Sequence, residues 1–174
     1  MNELNNRIQS LLKSGEPRPV ILEKVLREVL PHFHSETGTI HTLDPENQLL
    51  NLAAQVGLPP PMLGIVKTIP VGKGIAGQVA AENRPVTMCN LQTDASGAAQ
   101  PGAKQTGIGG ALCVPMRRGD TLVGTFGIGT VREYDYSAAE INSLQDIASL
   151  VAAATLSEGF RRLVTLPPYF VGYC

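Results

Sequence analysis

Thr68-Ile69-Pro70-Val71-Gly72-Lys73-Gly74-Ile75-Ala76-Gly77-Gln78-Val79-Ala80-Ala81-Glu82-Asn83-Arg84-Pro85-Val86 is the stretch on which the fold turns. Lys67 to Val71 reads as a short extended piece, three glycines follow, and Gln78 to Glu82 forms a small-residue helix that Pro85 stops. Pro85 to Cys89 then reads as another strand. The spacing Gly72-x-Gly74-x-x-Gly77 matches the dinucleotide fingerprint, with Asp94 downstream where a ribose-binding acid would be sought. A dinucleotide fold needs that turn at the head of a parallel βαβ unit, whereas this helix is short and its flanking strands belong to hairpins. The phosphate-loop pattern fails as well, because Lys73 is not followed by Ser or Thr. The glycines are therefore read as permitting unusual backbone angles and close packing where a strand enters a helix. The free N–H groups at that helix start remain suited to an anionic or carbonyl-bearing ligand.

On the N-terminal side, residues 37–56 alternate. Thr39 to Leu43, a turn at Asp44-Pro45-Glu46-Asn47, and Leu50, Leu52, Ala54 and Val56 at every second position predict an antiparallel hairpin ended by Pro59, Pro60 and Pro61. On the C-terminal side, residues 91–107 hold Gly, Ala, Ser, Gln and Thr with little hydrophobic punctuation, the composition of a lid or binding loop. A second hairpin follows, Gly109 to Met116 and Thr121 to Thr130 about a turn at Arg117 to Asp120; Arg118-Gly119-Asp120 is turn chemistry. Gly124, Gly127 and Gly129 in the last strand point to twist, a bulge or close approach by another group.

Helices are expected at both ends. Leu4, Ile8, Leu11 and Leu12 keep helical spacing before Gly15, and residues 18–30 place Ile21, Leu22, Val25, Leu26, Val29 and Leu30 on one stripe ending at Pro31. Ser137 to Glu140 has the Ser-x-x-Glu layout of a capping box, with Tyr136 placed to staple onto Ile141. Ile141, Leu144, Ala148, Val151 and Thr155 continue as a narrow seam suited to helix packing within the chain or between two chains. Strands joined by tight turns with helices at both ends predict an α+β fold with a central antiparallel sheet of about five or six strands.

Composition narrows the function. The chain has 174 residues, 43% hydrophobic and 17% charged, enough apolar material for one core. A formal net charge of −1 disfavours nucleic acid as partner. No apolar run reaches bilayer length, and residues 1–15 lack the layout of a secretory signal, so the expectation is a cytoplasmic protein with no membrane partner. Three cysteines, Cys89, Cys113 and Cys174, form neither a complete disulfide set nor a CxxC zinc site. Cys89 and Cys113 read first as small buried hydrophobes and second as redox or ligand groups. His41 would be a haem or metal ligand only if it faced a pocket, and otherwise a hydrogen-bonded structural residue; His32 and His34 have no metal-ligand partners in view.

The run from Thr68 to Val86, with Ala111-Leu112-Cys113-Val114-Pro115-Met116, Leu122-Val123-Gly124, and Tyr136-Ser137 before the last helix, resembles the signature of GAF domains over about residues 18–158. The resemblance implies terminal helices on one sheet face and, on the other, a pocket closed by residues 57–107. It divides the chain into an N-terminal helix (1–16), a sensor domain (17–159) and an aromatic tail (160–174). Its implied function is a non-catalytic sensory and regulatory module that binds a small molecule and signals through terminal-helix packing. The implied partners are that small molecule, a second copy through the terminal helices, and a signalling protein. No cofactor is specified.

The lining expected on this basis is Gly74, Ile75, Gln78 and Val79 from the helix, Cys89, Asn90 and Asp94 beside the loop, and Ala111 and Cys113 on the returning strand. Gln78, Asn90 and Asp94 are its expected polar contacts. The family's cyclic-nucleotide constellation is echoed only loosely by Tyr134, Asp135 and Glu140. Its free methionine sulfoxide reductases carry a cysteine where this chain has Ala76 and another in the following loop, which here has none. The alternatives to a sensor are a thiol-dependent redox enzyme using Cys89 or Cys113, and a ligand-free dimerisation module.

Overall fold

The computed structural model describes residues 2–93 and 107–154. Asp94, most of the expected loop and the aromatic tail lie outside the described residues. Two helices, α1 (Asn2–Leu12) and α2 (Arg18–His32), precede the hairpin β1 (Thr37–Asp44) and β2 (Leu49–Val56). Then come α3 (Pro60–Val66), β3 (Thr68–Pro70), α4 (Gly74–Glu82), β4 (Val86–Met88), the hairpin β5 (Ala111–Arg118) and β6 (Thr121–Gly129), and α5 (Ala138–Ala154). The six strands form one sheet in the order β3-β2-β1-β6-β5-β4, with every neighbouring pair antiparallel. The predicted α+β class and sheet are therefore present.

Alternation along the three central strands sends two different sets of side chains to the two faces. Ile40, Leu112, Val114, Met116, Phe126 and Ile128 join the core built with α1, α2 and α5, where Ile8, Val25, Leu26, Val29, Leu144, Ile147 and Val151 are fully buried. Gly38 belongs to this face, since a methyl group there would press on Leu26 and Leu30. The other face carries Thr37, Thr39, His41, Ala111, Cys113, Gly127 and Gly129. The β1–β2 register slips between Ile40 and His41: Ile40 pairs with Ala54 and His41 with Leu52, so Ala53 is an extra residue.

The capping box forms. The Ser137 backbone N–H donates to Glu140 Oε2 at 2.8 Å, and the Glu140 N–H donates to Ser137 Oγ at 3.3 Å. These bonds, with the Tyr134 hydroxyl donating to Glu140 Oε1 at 2.8 Å, hold the Glu140 carboxyl below its ordinary range against the opposing effect of partial burial. Tyr136 is buried, and its hydroxyl lies 3.0 Å from Ser35 Oγ, tying the start of α5 to the end of α2.

Three local expectations are corrected. α2 continues through Pro31 to His32, because a proline so near the C-terminus forfeits one bond and displaces no long run of helix. Pro59 to Pro61 do not merely end the hairpin: Pro60 and Pro61 open α3, where a missing N–H costs nothing. α4 begins at Gly74, four residues before the expected Gln78, with the turn itself forming its first residues. Gly72 and Gly74 have φ of +84° and +61°, and a methyl group on Gly77 would lie 2.5 Å from the Pro70 carbonyl oxygen. The motif glycines thus serve backbone angle and close approach, as their spacing suggested.

The outer strands, β3 and β4, are three residues long. β4 pairs only with residues 111–113 of β5, and Pro115 lies beyond it. Among the described residues no helix is long and apolar enough to cross a membrane.

Candidate functional site: a roofed hollow on the open sheet face

Small side chains on the second sheet face leave room, and α3 and the start of α4 roof it. The result is a cavity of about 180 Å³. Its floor is Thr39, Gly127 and Cys113, which stand in one cross-strand row, with Thr37, Gly129 and Ala111 in the next. Gly127 keeps this floor low, since a methyl group there would lie 3.2 Å from Thr39 Oγ1, a tight contact, and 3.6 Å from Cys113 Sγ. The roof comes from Leu58, Met62, Ile65 and Val66, and from Ile75 and Ala76 in the first turn of α4. Ile69, Leu91 and Ile108 complete the walls, and exposed Lys73 stands at the rim.

His41 fastens roof to floor. It is 1% exposed, and its Nε2–H donates to the Val66 carbonyl at the end of α3, at 2.9 Å. Burial lowers its pKa, partly offset by the Val66 bond, so the ring is neutral with Nδ1 as the unprotonated nitrogen. Nδ1 is buried without a partner. The imidazole is thus committed to the structural role of holding the lid helix, although it faces the hollow. Among the described residues no three His, Cys, Asp or Glu side chains cluster as a metal site would need.

The Cys113 thiol is buried on the floor of the hollow, and desolvation pushes its pKa up to about 12, against smaller opposing effects from the Thr125 hydroxyl and the Val114 backbone. Nucleophilic thiol chemistry needs the thiolate, which this environment suppresses at neutral pH. Cys89 is exposed.

Of the expected lining residues, Gly74, Ile75, Ala111 and Cys113 border the hollow. Gln78, Val79, Cys89 and Asn90 do not. The axis of α4 explains the first two: only its opening turn overhangs the cavity, and by Gln78 the helix has moved past it, with Val79 fully buried elsewhere. Asn90 is consumed locally, its Nδ2 donating to Glu133 and its Oδ1 accepting the Gln92 N–H at 2.9 Å. The Cys89 carbonyl accepts the Tyr134 N–H at 3.0 Å.

The α3 residues and the β1 residues were missed. Met62, Ile65 and Val66 have the three- and four-residue spacing of a helix face, and the prolines before them mark a helix start, so a signal was present. The β1 residues were predicted as strand, and only strand parity, fixed once Ile40 is assigned to the core, tells that Thr39 and His41 face the other way.

An antiparallel sheet packed by terminal helices on one face and hollowed under a lid on the other defines a single-sheet α+β domain with an internal pocket. The GAF domain family profile matches residues 16–155, and the chain belongs to that family. The GAF domain of an Acinetobacter phosphoenolpyruvate-protein phosphotransferase is 18% identical, with a TM-score of 0.77 over 94% of this chain and 97% of that one. A free methionine-R-sulfoxide reductase from Neisseria meningitidis, solved with its substrate, is 17% identical, with a TM-score of 0.72 over 94% and 91% of the two chains. The A. aeolicus nlh2 GAF domain in an inactive state is 18% identical, with a TM-score of 0.73 over 90% and 96%. At these identities the likeness is one of fold. No curated protein matches in sequence.

Proposed function

We propose that this chain is a non-catalytic sensor: a small molecule occupies the hollow beneath α3 and α4, and the sheet passes the change to the terminal helices, whose packing a second copy or a signalling partner reads. The observation that carries this reading is the alternation in β1, β5 and β6. Cys113 borders the hollow while its neighbour Val114 packs in the helix-facing core. A guest that spreads the strands on one side must therefore move side chains on the other, and it signals only by the difference in its affinity for the two arrangements.

Reductase chemistry is the competing reading, motivated by the methionine sulfoxide reductases among the structural neighbours. Ala76 at the head of α4, the lack of any cysteine in residues 91–107, and a Cys113 thiol with pKa near 12 all weigh against it. The test is native mass spectrometry of freshly isolated protein, followed by hydrogen exchange with and without the retained compound. A bound mass that slows exchange in α3 and changes it in α2 or α5 supports the sensor. Binding that leaves α2 and α5 unchanged removes the signalling step, and turnover of free methionine sulfoxide with a thiol reductant replaces it with catalysis.

A further inference from the structure

The geometry points to the class of molecule that fits the hollow: a compact, uncharged, mainly hydrocarbon compound about the size of one six-membered ring, with no more than one polar group. The inference rests on the sensor reading and deepens it.

Size is the first ground. A cavity of about 180 Å³ is close to the engineered apolar cavity of about 150 Å³ that stays dry and takes up benzene. It is well short of the ~300 Å³ at which ordinary drug-sized pockets begin. Lining chemistry is the second. The roof and walls are Leu, Ile, Val, Met and Ala side chains, and among the described residues no Asp or Glu borders the space. A cationic guest therefore has no counter-charge among them. Lys73, exposed at the rim, is the only charged side chain among the described lining residues, and it has no ion-pair partner among the described residues. A carboxylate drawn to it would keep its own ring outside the hollow, and one carried inward would lose its water without a charge to replace it.

The polar groups inside are few and mostly occupied. Thr37 Oγ1 donates to the Gly129 carbonyl at 3.2 Å, and His41 Nε2 is held by Val66. His41 Nδ1 has no measurable surface open to a guest. The Thr39 hydroxyl, on the floor, is left without a side-chain bond among the described residues and can meet one hydroxyl or carbonyl. A guest with several polar groups would bury the rest unpaired, each losing its hydrogen bonds to water with nothing in return.

The experiment uses the full chain labelled with carbon-13 at the methionine methyl groups. Met62 lies in the roof and Met116 in the helix-facing core, so one reports the hollow and the other the fold. Toluene, benzoate and methionine sulfoxide are titrated separately. The expected result is a saturable Met62 shift with toluene, at least tenfold weaker binding of benzoate and methionine sulfoxide, and loss of the toluene response in Ala76→Leu while the Met116 signal is retained. Tighter binding of benzoate or methionine sulfoxide than of toluene overturns the ligand class and leaves the pocket reading intact. No Met62 response to any of the three overturns both. Toluene binding that survives unchanged in Ala76→Leu places the compound elsewhere and also overturns the inference.

Discussion

The two faces of the sheet share strands, backbone and hydrogen-bond ladder, yet they are built to different ends. Toward α1, α2 and α5 the strands present Ile40, Leu112, Val114, Met116, Phe126 and Ile128, and these close-packed side chains exclude solvent. Toward α3 and α4 the neighbouring positions hold Thr39, His41, Ala111, Cys113, Gly127 and Gly129, which fill much less volume. Stability is thus drawn from one side, so that the other can remain underfilled. A void costs its lining the dispersion contacts that a packed neighbour would supply, and the helix-backed face offsets that loss.

The contrast is broken most severely by truncating the packed face. Phe126→Ala should destabilise the fold by about 3–5 kcal/mol, read by urea denaturation. Cys113→Ala, one strand away on the open face, removes a single heavy atom beside existing space, and should cost about 1 kcal/mol or less. Equal losses would mean that the two faces are packed alike. Acid should act through the open face. Because burial holds the folded pKa of His41 below its ordinary 6.5, the unfolded chain takes up the proton first. The contribution is thus complete above about pH 6.5 and declines as pH falls from there toward the folded pKa. His41→Gln, which keeps a donor for Val66, should flatten that part of the stability–pH curve; an unchanged slope would assign acid sensitivity to other groups.

A smaller effect is expected at the start of α5. Ser137→Ala removes both the acceptor for the Glu140 N–H and the side-chain partner of Glu140, and should lower stability by about 1 kcal/mol. The smallest response belongs to Cys113. Iodoacetamide applied to the native protein between pH 7 and 9, with peptide mapping, should leave Cys113 unmodified, since burial pushes its thiol pKa up to about 12 and only 5% of the residue is exposed. Alkylation there at pH 7 would reopen the thiol-enzyme reading.

How far the sequence revealed all this differs between the same two faces. Periodicity marks where bulky apolar residues recur, so the stripes of α2 and α5, both hairpins and the Ser137–Glu140 cap were legible. A hollow is marked by what is small, and Ala111 or Gly127 in a strand does not by itself say whether a helix, a partner or empty space lies opposite. Four of the expected lining residues do border the space, because the glycine turn places the first turn of α4 over it. Gln78 and Val79 fall outside because the helix starts at Gly74 and has passed the opening by then. Asn90 was expected to orient a guest, but its amide is taken by Glu133 and Gln92, a contact between distant segments that only the folded chain brings together.

The brevity of β3 and β4 bears on how copies of this domain meet. Unpaired strand margins are where β proteins recruit one another, and three-residue borders, with Pro70 closing one and Pro115 just past the other, offer almost no ladder for a newcomer to extend. Edge-to-edge polymerisation is thereby discouraged even in a crowded solution.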